Sequence, residues 1–260
     1  MTLMFFNSKT ACRKGFLCVA SSVLLLVSVH ANANCSAEPA PRVNWSGCDK
    51  SGQDFSGKDL SEAVLGKANL QGANFSGARL KHADFNFSDI SNAVFDKARM
   101  QGARLVHVTA EKASFKEAVM DDASFSRSEM KQADFRQARL KHAKFYEAKL
   151  AGANFTEAFL QDANFSRAFL VKTVFDGADL SQAEMKSVLA ESASFKKANM
   201  TAVVLHEADL KFVDFSGADL SKASMREAII DDAIFDDAKL GRAIWFDLKR
   251  CRASSMGSCQ

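Results

Sequence analysis

Proline occurs only twice in the 260 residues, at Pro39 and Pro41, and no cysteine lies between Cys48 and Cys251. The sequence has no glycine-rich phosphate loop and no Ser or Cys in a nucleophile context, which excludes phosphate-cradle and covalent-nucleophile chemistry of the recognisable kinds. Thr is too scarce for the flat, regular Thr rows of an ice-binding wall. Four His follow residue 33 (His82, His107, His142 and His206), and no two stand at ligand spacing. The chain also lacks an excess of either charge. It has 34 basic and 31 acidic residues, and three of the basic ones, Lys9, Arg13 and Lys14, lie in the first 33. The remainder is formally neutral, and direct nucleic-acid binding would need a net basic stripe.

What is present is a period of five. Every fifth residue from Trp45 to Trp245 is large and apolar, except Lys50, Ala110 and Ala190. The residue two places earlier is usually Ala. A period held without insertion over this length is the mark of a repeat architecture. In Ala73-Asn74-Phe75-Ser76-Gly77, residues 73 and 75 point to one side of an extended chain and residue 74 to the other. The alternation then breaks, because the next small apolar residue is Ala78, so the chain must turn there. A helix does not fit: the apolar positions spread around the wheel at roughly 100° per residue and define no face. A short strand, a bend and another short strand remain.

The central residues give the coil length. Phe occupies only alternate centres, and Phe55, Phe75, Phe95, Phe115, Phe135, Phe155, Phe175, Phe195, Phe215 and Phe235 form an unbroken column at steps of twenty. Four units per coil would stack this column on one wall. Trp45 and Trp245 share another column and bracket the two ends. The stack would run about 49 Å at ~4.8 Å per rung. At Ala110 and Ala190 a larger Val108 or Val188 sits two residues before, so volume moves between neighbouring inward positions, as a close-packed core tolerates best.

Units such as Ala73-Asn74-Phe75-Ser76-Gly77 and Ala218-Asp219-Leu220-Ser221-Lys222 resemble those of the pentapeptide-repeat family, over residues 43–247. The resemblance implies an all-β fold, a right-handed quadrilateral parallel β-helix (solenoid). It implies no shared catalytic residues, cofactor or metal. The best-understood members mimic double-stranded DNA and act on DNA gyrase, a reading that needs an acidic cytoplasmic protein and is disfavoured by the export signal read below and by the formal neutrality of residues 34–260.

The front of the chain sets the expected compartment. Lys9, Arg13 and Lys14 precede an apolar run over residues 15–29, broken only by Ser21, Ser22 and Ser28, and Ala31-Asn32-Ala33 follows as a small-x-small site. This order predicts a secretory signal peptide over 1–33, with no membrane span after its removal, and a periplasmic or secreted bacterial protein. Cys12 and Cys18 would leave with it. An exported chain with Cys35, Cys48, Cys251 and Cys259 reads as disulfides, and the spacings favour Cys35–Cys48 and Cys251–Cys259; a zinc site is the alternative, against which stands the placing of the two pairs at opposite ends of a long rod. A cap over 34–42 and a cap or tail over 248–260 would close the open ends, which otherwise invite association. The tail resembles that of exported bacterial members of the family.

The function expected is non-catalytic: a protein-binding or structural scaffold in the cell envelope. Outward apolar residues are where binding would show. Phe87, Phe159, Phe169, Leu189 and Phe212 replace polar residues, and Ile229, Ile234 and Ile244 crowd the last coils. One wall carries Arg79, Lys81, His82, Arg99, Arg139, Lys141 and His142, with Ala-Arg-Leu-Lys-His-Ala at both 78–83 and 138–143. Asp121, Asp122 and Asp162 interrupt it, as cross-rung charge pairing would require. The candidate surface is therefore Phe159, Phe169, Phe212, Ile229, Ile234, Ile244, Arg79 and Arg139. The partner is an unidentified protein, with a homodimer through an end coil also expected, as the family resemblance implies.

Overall fold

The computed structural model describes residues 33–260, so the expected signal peptide lies outside the described residues, apart from its last position. From residue 41 to Trp245 the backbone repeats one motif: two turn residues, an inward residue, a bridging residue and an inward centre. The bridging residues pair in parallel with the residue twenty places on, from Asn44↔Val64 to Ser224↔Ile244. Five residues per unit and twenty per coil make four units to a coil. The strand is thinner than the sequence suggests, because each pairing is a single isolated bridge. Only three residues of each unit alternate before the turn takes the next two, so no longer strand can form.

The hydrogen bonds follow the same rule. Phe75 N–H donates to Val94 O at 2.6 Å and Gly77 N–H to Asp96 O at 2.9 Å, both towards the next coil, while Asn74 N–H donates back to Gln53 O at 2.9 Å. Within the unit, Ala78 N–H closes the turn on Phe75 O at 2.9 Å. The second turn residue has a positive φ in every unit, whether it is Gly77 (65°) or a side-chain-bearing residue such as Phe87 (62°) or Ala202 (60°). That left-handed conformation costs an L-residue free energy, and it is tolerated here because pairing with both neighbouring coils fixes the corner. The bridging residue helps. Asp or Asn at that position accepts the N–H two residues on, as Asp54 does from Ser56 at 2.9 Å and Asn164 from Ser166 at 2.8 Å.

The core is two kinds of column. The Phe column stacks ring on ring, with centroids 4.6 Å apart for Phe135–Phe155 and 4.9 Å for Phe155–Phe175. Phe85, Phe125, Phe145 and Phe165, from the wall two units away, meet it edge-on, as Phe145–Phe155 does at 5.6 Å and 89°. Both arrangements suit the ring quadrupole. Where Ser or Thr replaces the inward Ala, its hydroxyl is buried and bonded: Ser128 Oγ to Leu105 O at 2.6 Å, and Thr173 Oγ1 to Leu150 O at 2.9 Å.

The ends are built differently. At the front, Cys35 is disulfide-bonded to Cys48. Asn34 N–H reaches Asn44 O at 2.9 Å, and Trp45 Nε1 donates to Ala37 O at 3.2 Å. Lys50, the charged exception among the centres, is buried with its ammonium 4.3 Å from the Trp45 ring centroid, a cation–π contact that offsets part of its desolvation. At the back, the chain reverses after Trp245 and runs antiparallel along the last coil, bridging Ile244↔Arg250 and Lys239↔Met256. Cys251 is disulfide-bonded to Cys259 within this tail.

Candidate interaction surface

The charged walls are ladders. Arg79 pairs with Asp59 at 3.0 Å, Lys149 with Glu129 at 2.6 Å, Arg127 with Glu147 at 2.9 Å and Lys239 with Asp219 at 3.6 Å, each between adjacent coils. His142 lies between Asp122 (3.3 Å) and Asp162 (3.6 Å), from the coils on either side. These groups are largely solvated, so each pair adds little stability, but together they hold the outer charges in register. Asp59 is held at about 2, below the usual carboxylate range, by the Ser61 hydroxyl and then by the Arg79 guanidinium. Burial keeps His206 below the ordinary histidine value, and the nearby Arg226 and Lys186 add to this.

The structure distributes the expected surface residues over all four walls. Arg79, Arg139 and Phe159 share the wall of the Leu60 column, where Asp121, Arg139, Lys141, Phe159 and Gln161 line a shallow hollow of about 480 Å³. Arg139 is engaged by Asp121 at 3.1 Å. A second hollow on that wall, about 560 Å³, is lined by Arg79, Lys81, His82 and Arg99. Phe169 and Ile229 occupy the wall two units away, where Phe169 bridges directly to Leu189 and both are exposed, and Phe212 stands at the corner after Asp209 of that wall. Ile234 lies on the Phe-column wall and is exposed. Ile244 lies on the remaining wall, at the outward bridging position of its unit. It is half-exposed, as Val94, Val174 and Val204 are at the same position of their units, and Arg250 of the tail pairs with its backbone.

Sequence reasoning missed some exposed apolar groups, namely Val64, Phe246, Leu248 and Met256. It also missed Asp231, Asp232, Asp236 and Asp237, which are exposed and form no ion pair among the described residues. The signal was available as two Asp doublets in consecutive units. Phe87 stacks on His107 with centroids 5.2 Å apart, so this outward Phe is partly covered by its neighbour one coil on. Among the described residues no group of His, Cys, Asp and Glu is arranged to hold a metal ion, and no helix is long and apolar enough to cross a membrane.

Residues 88–165 match the family described as Pentapeptide repeat region. Residues 59–96, 158–196, 183–221 and 208–244 match Pentapeptide repeats (8 copies). Among solved structures, the chain is similar to HetL, a pentapeptide repeat protein involved in heterocyst differentiation regulation in Nostoc sp. Strain PCC 7120, with 23% identity over 76% of this chain and 92% of that one and a TM-score of 0.36. It is similar to QnrB1, a plasmid-mediated fluoroquinolone resistance protein, with 16% identity over 73% and 89% of the two chains and a TM-score of 0.49. A pentapeptide repeat protein from the Arabidopsis thaliana thylakoid lumen is 34% identical over 36% of this chain and 70% of its own, with a TM-score of 0.24. No curated protein matches the chain.

Proposed function

Because the chain belongs to the pentapeptide repeat family, we propose that it is a non-catalytic exported repeat protein that acts as a protein-binding scaffold in the cell envelope. Its coil is read as the right-handed, four-sided β-helix of that family, and the twenty-residue bridging period supports four sides. No catalytic family is indicated by the match.

The observation that carries the binding role is the pair Phe169 and Leu189, each 43% exposed and bridged on adjacent coils of one wall. Phe212, 53% exposed, stands at the corner just after Asp209, the next residue of that column. Contiguous apolar surface of this kind on an otherwise charged wall marks a docking surface. Disulfides at both ends support an oxidising compartment. The DNA-mimicking alternative has less support, since acids and bases alternate between coils instead of forming an acidic rod.

Photo-crosslinkers placed at Phe169 and Leu189, with Lys112, a corner residue about three coils back, as control, test the reading in envelope fractions. A discrete protein adduct at the two apolar positions and none at Lys112 is expected. Equal labelling at all three would leave a purely structural rod, and an intact Met1 on a cytosolic protein would overturn export.

A further inference from the structure

The last coil is covered on only half of its outer edge. Lys239 and Ile244 each bridge both backwards and to the tail, whereas Ile229 and Ile234 bridge only backwards, to Asp209 and Asp214. On the covered half, Leu240 N–H donates to Ser255 O (2.9 Å), Trp245 N–H to Lys249 O (2.7 Å) and Cys251 N–H to Ala243 O (2.9 Å). On the other half, the N–H groups of Ile230, Asp232, Phe235 and Asp237 have no acceptor among the described residues. The equivalent groups one coil earlier are all bonded: Leu210 to Ile229 O (2.8 Å), Phe212 to Asp231 O (2.9 Å), Phe215 to Ile234 O (2.8 Å) and Gly217 to Asp236 O (2.7 Å).

The two halves also differ in charge. The covered half carries Lys239, Arg242, Lys249, Arg250 and Arg252 against Asp247, and the uncovered half Asp231, Asp232, Asp236 and Asp237. Ile229 and Ile234 are exposed beside the acids, and Ile230 and Ala233 are only partly buried at the coil end. An edge with free donors, apolar neighbours and one sign of charge is a template for strand addition. The tail shows the form such a strand takes here: one bridge on each wall with a turn at 253–254 between them.

We propose that residues 228–237 are the docking edge for an extended, Lys/Arg-bearing segment of a partner protein, which completes the last coil by β-augmentation. The backbone donors supply affinity and the four Asp select basic segments. The proposal deepens the protein-binding reading by naming a partner chemistry. It fails separately from that reading, because the Phe169 and Leu189 crosslinks lie on other coils.

The probe is a synthetic peptide of residues 249–257 with Cys251→Ser, added to the oxidised full chain and followed by residue-resolved amide exchange and titration. Saturable binding is expected, with new protection at Ile230, Asp232, Phe235 and Asp237 and about tenfold weakening at high salt. The combined Asp231→Asn, Asp232→Asn, Asp236→Asn and Asp237→Asn variant should also bind about tenfold more weakly, and Asn suits the positive φ of residues 232 and 237. A peptide with Lys249→Glu, Arg250→Glu and Arg252→Glu should not bind. Unchanged exchange at the four amides under saturating peptide, or equal affinity for the Asn variant, overturns the proposal. So does protection that rises with protein concentration alone, which would mean that a second copy occupies the edge.

Discussion

The coil around Phe155 and the coil around Phe235 contain the same unit, yet they are held by different means. Phe155 N–H donates to Val174 O (2.7 Å), Glu157 N–H to Asp176 O (3.0 Å) and Asn154 N–H to Ala133 O (2.9 Å). The Phe155 ring is fully buried between two stacked neighbours and two edge-on ones. Phe235 has a coil on one side only, keeps 9% exposure, and its N–H lacks an acceptor among the described residues. A residue's stability here is set by how many coils it touches, as in one-dimensional arrays. The middle needs neither disulfide nor proline. The end needs a returning tail and a disulfide, and still leaves half of its edge open.

The largest effect should separate the two coils directly. Phe155→Ala removes a buried ring with neighbours above and below and should cost roughly 3–5 kcal/mol. Phe235→Ala should cost roughly 1–3 kcal/mol, because one interface is absent. Phe159→Ala, on the outer wall at 49% exposure, should cost at most about 0.5 kcal/mol. Denaturant unfolding of the three variants ranks them, and equal losses at 155 and 159 would refute the inward–outward register.

A smaller and more local effect is expected at the tail. The combined Cys251→Ser and Cys259→Ser change should loosen the last coil by about 2 kcal/mol, the low end expected for a short loop. It should speed amide exchange at Leu240 and Trp245 and leave the Phe155 amide unchanged. Faster exchange in the middle coils as well would mean that the array is more cooperative than the comparison implies.

The smallest effect lies in the acid range. Asp59 titrates at about 2 when folded, below an ordinary carboxylate near 3.9. A depressed folded value means that its contribution is present above about pH 4 and is lost as pH falls towards 2. Asp54 and Asp89 are lowered in the same direction. Melting temperature should therefore drop between pH 4 and pH 2, and Asp59→Ala should flatten part of that slope. An identical slope in the variant would remove Asp59 from the account.

The inward architecture was legible because burial imposes a period on residue type, and the Phe column at steps of twenty reports which residues meet. Strand length was less so: sequence alternation shows where side chains point, not how far backbone pairing extends. The left-handed corner residues were hidden because neighbouring coils enforce that conformation on Lys, Glu and Phe as readily as on Gly. The tail's return path left no periodic trace, so the pairing of Arg250 beside Ile244 was hidden. Candidate surface residues were chosen for outward apolar or basic character, a property of single positions. The coil assigns them to four different walls, and only the twenty-residue register shows that Phe169 and Leu189 are neighbours.

The central claim is that pairing between coils, not the unit itself, holds each residue. Residue-resolved hydrogen exchange on the oxidised chain, free of peptide, tests it most directly. The account predicts slow exchange at Phe155 and at Leu210, Phe212, Phe215 and Gly217, and fast exchange at Ile230, Asp232, Phe235 and Asp237, one coil further on in the same columns. Equally slow exchange in both sets, independent of protein concentration, would contradict it.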